Sequence, residues 1–195
     1  MTNRIIDFMV APMASTPRTL TESIRQVGNA SAGFCRSWLA KNESDAIATS
    51  EEAFGFLDHI QNELLRHRDR QSKMPNWDAS PLNAALNANI GELLEPATVN
   101  DKKTFQAQQV GLGILPRASQ AVPLTLKTAL NKLKHRDTNA VNFTASSTHT
   151  LFIFTQGGMN KPDSISSFDI QVFCDACKVA AQAVCPTHPL SKRSP

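Results

Sequence analysis

Two short basic clusters contain the side chains best suited to chemistry on a phosphate. Leu-Arg-His-Arg-Asp at residues 65–69 is echoed by Leu-Lys-His-Arg-Asp at residues 133–137. Arginine binds phosphate through two parallel hydrogen bonds, and histidine titrates near neutral pH and can transfer protons. If packing or dimerisation brought the clusters together, they would form a basic pocket suited to metal-independent phosphodiester cleavage. The candidate catalytic residues are His67, Arg68, His135 and Arg136.

A purely structural role would also explain why the two basic clusters are present. Each cluster falls at the end of a predicted helix, where cations interact favourably with the last backbone carbonyls. The two interpretations differ most at Arg136. A functional Arg136 is expected to face solvent, so that its loss abolishes nucleic-acid binding and leaves the fold intact. A purely structural Arg136 affects stability alone.

A third set of residues has the chemistry of a zinc site. Cys174, Cys177, Cys185 and His188 supply four ligands in the pattern Cys-x2-Cys-x7-Cys-x2-His, although this spacing is not that of a standard zinc knuckle. Helical geometry places Cys177 in the middle of a predicted core face, with Cys174 and Cys185 towards one edge of it. Buried cysteines among alanines are common in packed helices. We therefore expect no cofactor, with structural zinc as the open alternative.

Composition sets the class of protein. The 195 residues carry a formal net charge of +3 and are 41% hydrophobic, which suits one globular domain. No segment approaches the roughly 20 apolar residues of a membrane span, so no membrane association is expected. Four cysteines without a recognisable export signal favour reduced thiols and a cytoplasmic location. Motifs of P-loop enzymes, common serine hydrolases and zincins do not occur.

Hydrophobic periodicity predicts mainly helices. Capping patterns at Thr19 and Thr49, each with a glutamate three positions later, mark two helix starts, and Ser80 followed by Pro81 marks a third. Alternating apolar residues predict a β-hairpin that pairs residues 141–143 with residues 150–155. The predicted helices cover residues 19–41, 49–66, 80–96, 101–110, 122–135 and 166–184.

These elements predict a mainly α-helical fold. We expect a single helical-bundle domain of about five helices, with a small β-hairpin before the last helix. The domain spans residues 1–195, of which residues 1–16 form an N-terminal extension and residues 186–195 a frayed tail.

The segment from residue 122 to residue 184 resembles the later part of HEPN-type domains. The resemblance rests on a helix that ends in Leu-Asn-Lys-Leu-Lys-His-Arg-Asp at residues 130–137, a following hairpin and a final helix. HEPN-type domains are small helical bundles of toxins and antiviral systems, which dimerise and cleave RNA without metal through an Arg-x4-6-His motif. Here the first histidine after Arg136 is His149, which is too distant to match that motif.

Two functions of different classes follow. The first is an RNA- or phosphate-engaging domain of the HEPN kind, which the resemblance implies to be a homo-oligomer with metal-independent ribonuclease activity in a toxin or defence system. The alternative is a non-enzymatic module that binds a partner protein through apolar helix faces. A protein with a zinc-stabilised C-terminal segment is the third possibility.

Overall fold

A five-stranded antiparallel sheet organises the structure, a computed structural model that describes residues 16–158 and 161–184. The strands lie in the order β2-β1-β5-β4-β3. The last strand along the chain therefore pairs with the first. The strands are β1 (Asn89–Leu94), β2 (Val122–Thr125), β3 (Arg136–Ala145), β4 (His149–Thr155) and β5 (Ser164–Asp169).

Six α-helices of the described residues surround this sheet. They are α1 (Thr16–Leu39), α2 (Glu43–Gln71), α3 (Pro81–Leu86), α4 (Val99–Gln106), α5 (Leu126–Lys134) and α6 (Ile170–Val184). Helix α6 packs against α1, α3 and the sheet, and α2 packs against both α1 and α5. Within the described ranges, no helix has the length and apolar character needed to cross a membrane.

The sheet is buried on both faces, as the alternation along β4 shows. Ile153 belongs to the larger core, which the sheet shares with five of the helices, and Phe152 and Phe154 belong to a smaller core with Phe105 of α4. Successive strand residues point to opposite faces, so an uninterrupted apolar run needs cover on both sides. Helix α4 and the loop after it provide the second cover.

The predicted mainly α-helical bundle with a single hairpin is wrong, because the hairpin belongs to a larger sheet. The pairing of residues 141–143 with residues 150–155 is confirmed. The end of the predicted third helix is instead strand β1, and the start of the helix predicted at residue 122 is strand β2. The last helix begins at Ile170, because the residues before it form β5.

The helix boundaries show which capping signals were correct. The Ser80 hydroxyl accepts a hydrogen bond from the Asn83 backbone N–H and caps α3, as predicted. Thr19 lies inside α1, and Thr49 donates to the Asp45 carbonyl inside α2, so neither residue begins a helix. The N-cap of α2 is Asn42, whose side chain accepts from the Asp45 backbone N–H.

One ion pair with a buried carboxylate joins α4 to the loop after it within the second cover. Asp101 forms a reciprocal capping box with Thr98 at the start of α4 and accepts a 2.5 Å hydrogen bond from Arg117. The Arg117 guanidinium also donates to the Pro96 carbonyl at 3.2 Å. Only 4% of the Asp101 side chain is exposed, so its hydrogen bonds come from protein donors and not from water. These donors hold the pKa of Asp101 far below its ordinary value of 3.8, with the Arg117 bond as the main cause.

Candidate functional site

The two basic clusters of the sequence come close together where α2 and α5 end. The two helices pack against each other, and an open depression of about 310 Å³ lies between their C-terminal ends. Four cationic side chains and one carboxylate are among the residues that line it. These residues are Asn62, Leu65, Arg66, Asp69, Arg70, Lys73 and Lys134. We call this surface the basic depression.

None of the four predicted catalytic residues lines the basic depression. His67 is half-buried, and its Nε2 atom is buried without a hydrogen-bond partner. Arg68 donates two hydrogen bonds, of 2.7 and 2.9 Å, to Oδ1 of its neighbour Asp69. His135 is the exposed C-cap residue of α5. The clusters share a surface, but their His-Arg pairs do not form one pocket.

Arg136 points inward, contrary to the expectation that it faces solvent. Only 12% of its side chain is exposed, and its Nη2 atom lies 3.2 Å from Asp58 Oδ1. The guanidinium lies 3.9 Å from the ring centroid of Phe54 and also donates to the Leu133 carbonyl in the last turn of α5. That last contact is the helix-end interaction that the structural interpretation predicts.

The free cations of the basic depression are neighbours of the predicted residues. Arg70, Lys73 and Lys134 are exposed, and no ion pair of the described residues involves any of them. Arg66 is paired with Glu63, so its charge is partly neutralised. Three unpaired cations around a concave surface can contact successive phosphates of a polyanion.

Arg136 lines a second, apolar cavity. It has a volume of about 280 Å³ and is enclosed by α1, α2, β3 and β4. The facing helices carry small residues there, including Ala30 and Ser31 on α1 and Ala53 on α2. Small side chains on both helices leave space that the sheet cannot fill. We call this cavity the apolar pocket.

His149 supplies a hydrogen-bonding group in the wall of the apolar pocket. Its Nδ1 atom lies 2.9 Å from the Ser31 hydroxyl, and its ring is stacked on Phe34 with centroids 5.0 Å apart. Burial lowers the pKa of His149 from its ordinary value of 6.5, and the negative charge of Asp169 opposes this only in part. The imidazole is therefore neutral at pH 7.

The Ser31–His149 pair lacks the third member of a hydrolytic triad. Asp169, the carboxylate that influences the His149 pKa, accepts hydrogen bonds from the backbone N–H groups of Gln171 and Val172. Among the described residues, no carboxylate forms a hydrogen bond with His149 to orient its ring. The pair is suited to binding a polar group, and the carboxylate that would complete a triad is absent from the described residues.

The lowered pKa predicts that acid destabilises the fold through His149. The unfolded state binds a proton near pH 6.5 and the folded state only at lower pH, so stability falls as the pH decreases below 6.5. We expect His149→Gln to lose less stability than the wild type between pH 7 and pH 5 in urea unfolding. His135→Gln is the control for the substitution itself, since His135 is exposed. Identical pH profiles for wild type and His149→Gln would contradict the assignment.

The predicted zinc ligands are only partly covered by the described residues. Cys185 and His188 lie outside them. Cys174 and Cys177 carry free thiols in the core, where Cys174 Sγ lies 3.7 Å from the Ile24 carbonyl oxygen. Burial raises the pKa of Cys174 to about 12 and that of Cys177 well above its ordinary value of 9.0. Zinc binds the thiolate form, which this environment disfavours.

No protein-family model matches this chain, and no curated protein or solved structure matches it.

Two features of the site cannot be predicted from the sequence pattern alone. The sequence predicts a helix that ends at residue 66, whereas α2 continues to Gln71 and so carries Arg66 and Arg70, four positions apart, on one face. The alignment of small residues at Ala30, Ser31 and Ala53 is visible only once α1 and α2 are known to face each other.

Proposed function

We propose that this protein binds RNA through its phosphate groups at the basic depression. The observation that carries the proposal is the convergence of Arg70 and Lys73 with Lys134, three exposed and unpaired cations from two distant parts of the chain. The echo between residues 65–69 and 133–137 and the HEPN resemblance support the same proposal. Contacts of this kind provide affinity and position the RNA but do not read its sequence.

The resemblance adds metal-independent cleavage to this proposal. Cleavage needs a proton-transferring group beside a bound phosphate. His135 is the predicted catalytic residue best placed for that role, because it is exposed and follows Lys134 directly. Arg136 acts in this proposal as a positioning residue, since Asp58 and the Leu133 carbonyl already occupy two of its donors.

The proposal predicts salt-dependent RNA binding that a charge reversal at Lys73 weakens. Each phosphate contact on a single strand contributes about −0.7 to the slope of log K against log salt, so three contacts give about −2. We expect Lys73→Glu to weaken binding severalfold and to reduce the steepness of the slope by about 0.7. The measurement is fluorescence anisotropy with a labelled 20-nucleotide single-stranded RNA at several salt concentrations.

Lys103→Glu is the matched control, because Lys103 is exposed on α4 and the substitution changes the net charge equally. Equal weakening by both variants, or binding that is insensitive to salt, would refute the basic depression as the site. Incubation of the same RNA with EDTA tests cleavage, and loss of chelator-resistant cleavage in His135→Ala would identify its proton-transferring group. Absence of RNA binding would favour the protein-interaction alternative.

A further inference from the structure

The apolar pocket contains a single formal charge, and that charge is positive. Most of its lining is aliphatic or aromatic, including Phe34, Phe54 and Phe143. Among the described residues that line it, Arg136 is the only one that is charged at neutral pH, because burial keeps His149 neutral. Asp58, the carboxylate partner of Arg136, does not line the pocket, and its side chain is 45% exposed. The pocket is therefore apolar with one cation in its wall, whose charge Asp58 partly neutralises from outside the pocket.

Arg136 has donors to spare for a ligand. Its guanidinium has five N–H groups, of which one donates to the Leu133 carbonyl and one to Asp58. The Phe54 ring packs against it, with the ring centroid 3.9 Å from the guanidinium carbon. A cation held in this way within an apolar wall is suited to a carboxylate, which accepts charge-assisted hydrogen bonds from arginine.

The size of the pocket limits the ligand. A volume of about 280 Å³ is close to the lower end of small-molecule sites, which suits a ligand on the order of ten non-hydrogen atoms. Phe54 and Val141, which line the pocket, are each more than 40% exposed, so the cavity has an apolar entrance. The Ser31–His149 pair offers a second polar contact within the wall.

We propose that the apolar pocket binds a small, apolar carboxylic acid, with the carboxylate on Arg136 and the hydrocarbon part between α1, α2 and the sheet. The two sites are separate, because none of the residues that line the basic depression lines the apolar pocket, and Arg136 is the one residue that both proposals use. The ligand would also bridge β3 to α2, next to the region where α2 meets α5.

Decanoate and decanol test the charge requirement with every residue of the pocket unchanged. They share a ten-carbon chain and differ in the carboxylate. We expect saturable decanoate binding and at least about tenfold weaker decanol binding, since a charge-assisted hydrogen bond contributes about 1.5–3 kcal/mol. Trp38 provides the signal, because its ring stacks on Phe34 and meets the edge of Phe143. A Trp77→Phe background removes the other tryptophan. Equal affinity for the two compounds would overturn the proposal.

Substitutions then locate the site. Arg136→Gln is expected to reduce decanoate affinity about tenfold and to leave decanol affinity unchanged. Ala53→Phe fills the pocket and is expected to abolish binding of both compounds, whereas Ala48→Phe adds the same ring at an exposed position of α2 outside the pocket. Decanoate binding that survives in Ala53→Phe, or that is lost equally in Ala48→Phe, would show that the ligand binds elsewhere. If Arg136→Gln does not fold, the comparison of acid and alcohol still decides the charge requirement.

Discussion

Asp101→Ala is expected to lower the free energy of unfolding by about 3 kcal/mol, one of the two largest effects we predict for a single substitution. The substitution removes half of the capping box of α4 and leaves the Arg117 guanidinium without its carboxylate. Arg117 is itself in the left-handed region, with φ of 48°. Urea unfolding at pH 7 measures the loss.

Asp175→Ala is the control for the loss of an ion pair as such. Asp175 pairs with Lys178 on the exposed side of α6, where such pairs contribute at most about 0.5 kcal/mol. The pH dependence gives a second check. Because the folded-state pKa of Asp101 is lowered, its contribution is present above about pH 4 and declines as the pH falls towards the folded-state pKa. The difference in the free energy of unfolding between wild type and Asp101→Ala should therefore become smaller below pH 4. A constant difference would show that the charge of Asp101 is irrelevant.

Gly91→Ala is expected to destabilise the protein by about 3 kcal/mol, because the centre of the sheet has no room for a methyl group. Gly91 lies on β1 between β2 and β5, opposite Leu124 on one side and Phe168 on the other. A Cβ atom at this position would lie 2.1 Å from the Ser167 carbonyl oxygen. That neighbour is backbone, so relief requires the two strands to separate.

Gly28→Ala is the matched control, because an added Cβ on this α1 residue meets no other atom within 4 Å. Removing a glycine from a helix is expected to increase stability by about 0.5–1 kcal/mol. Replacing glycine by alanine is thus expected to lower the free energy of unfolding at position 91 and to raise it at position 28. Thermal and urea unfolding of both variants measure these changes in stability. A Gly91→Ala protein as stable as the wild type would show that β1 does not approach β5 so closely.

The errors in predicting the fold have identifiable causes. Leu82, Leu86, Ile90 and Leu93 recur at helical spacing, so the periodicity hid the change from α3 to β1. Strand β5 contains three buried serines, whose low hydrophobicity concealed an interior strand. By contrast, the run of apolar residues in β4 and the Ser80 cap are local signals, and both were correct.

The candidate site shows a different limit of sequence reasoning. The two basic clusters could be recognised because each is a contiguous motif. The inward turn of Arg136 depends on Asp58 and Phe54, which α2 brings to it from a distant part of the chain. Local sequence also cannot show that Arg70 and Lys134 share a surface, because that follows from the packing of α2 against α5.

The position of β5 in the sheet has a consequence for biosynthesis. Strand β1 pairs with β2 on one side and needs β5 on the other, yet β5 is synthesised after every other strand of the sheet. Until residues 164–169 leave the ribosome, the β1–β2 pair and the β3–β4 hairpin each present an open edge to other chains. The nascent protein can therefore aggregate through these edges until β5 is made. Strand β5 then inserts between β1 and β4 and joins the two halves of the sheet.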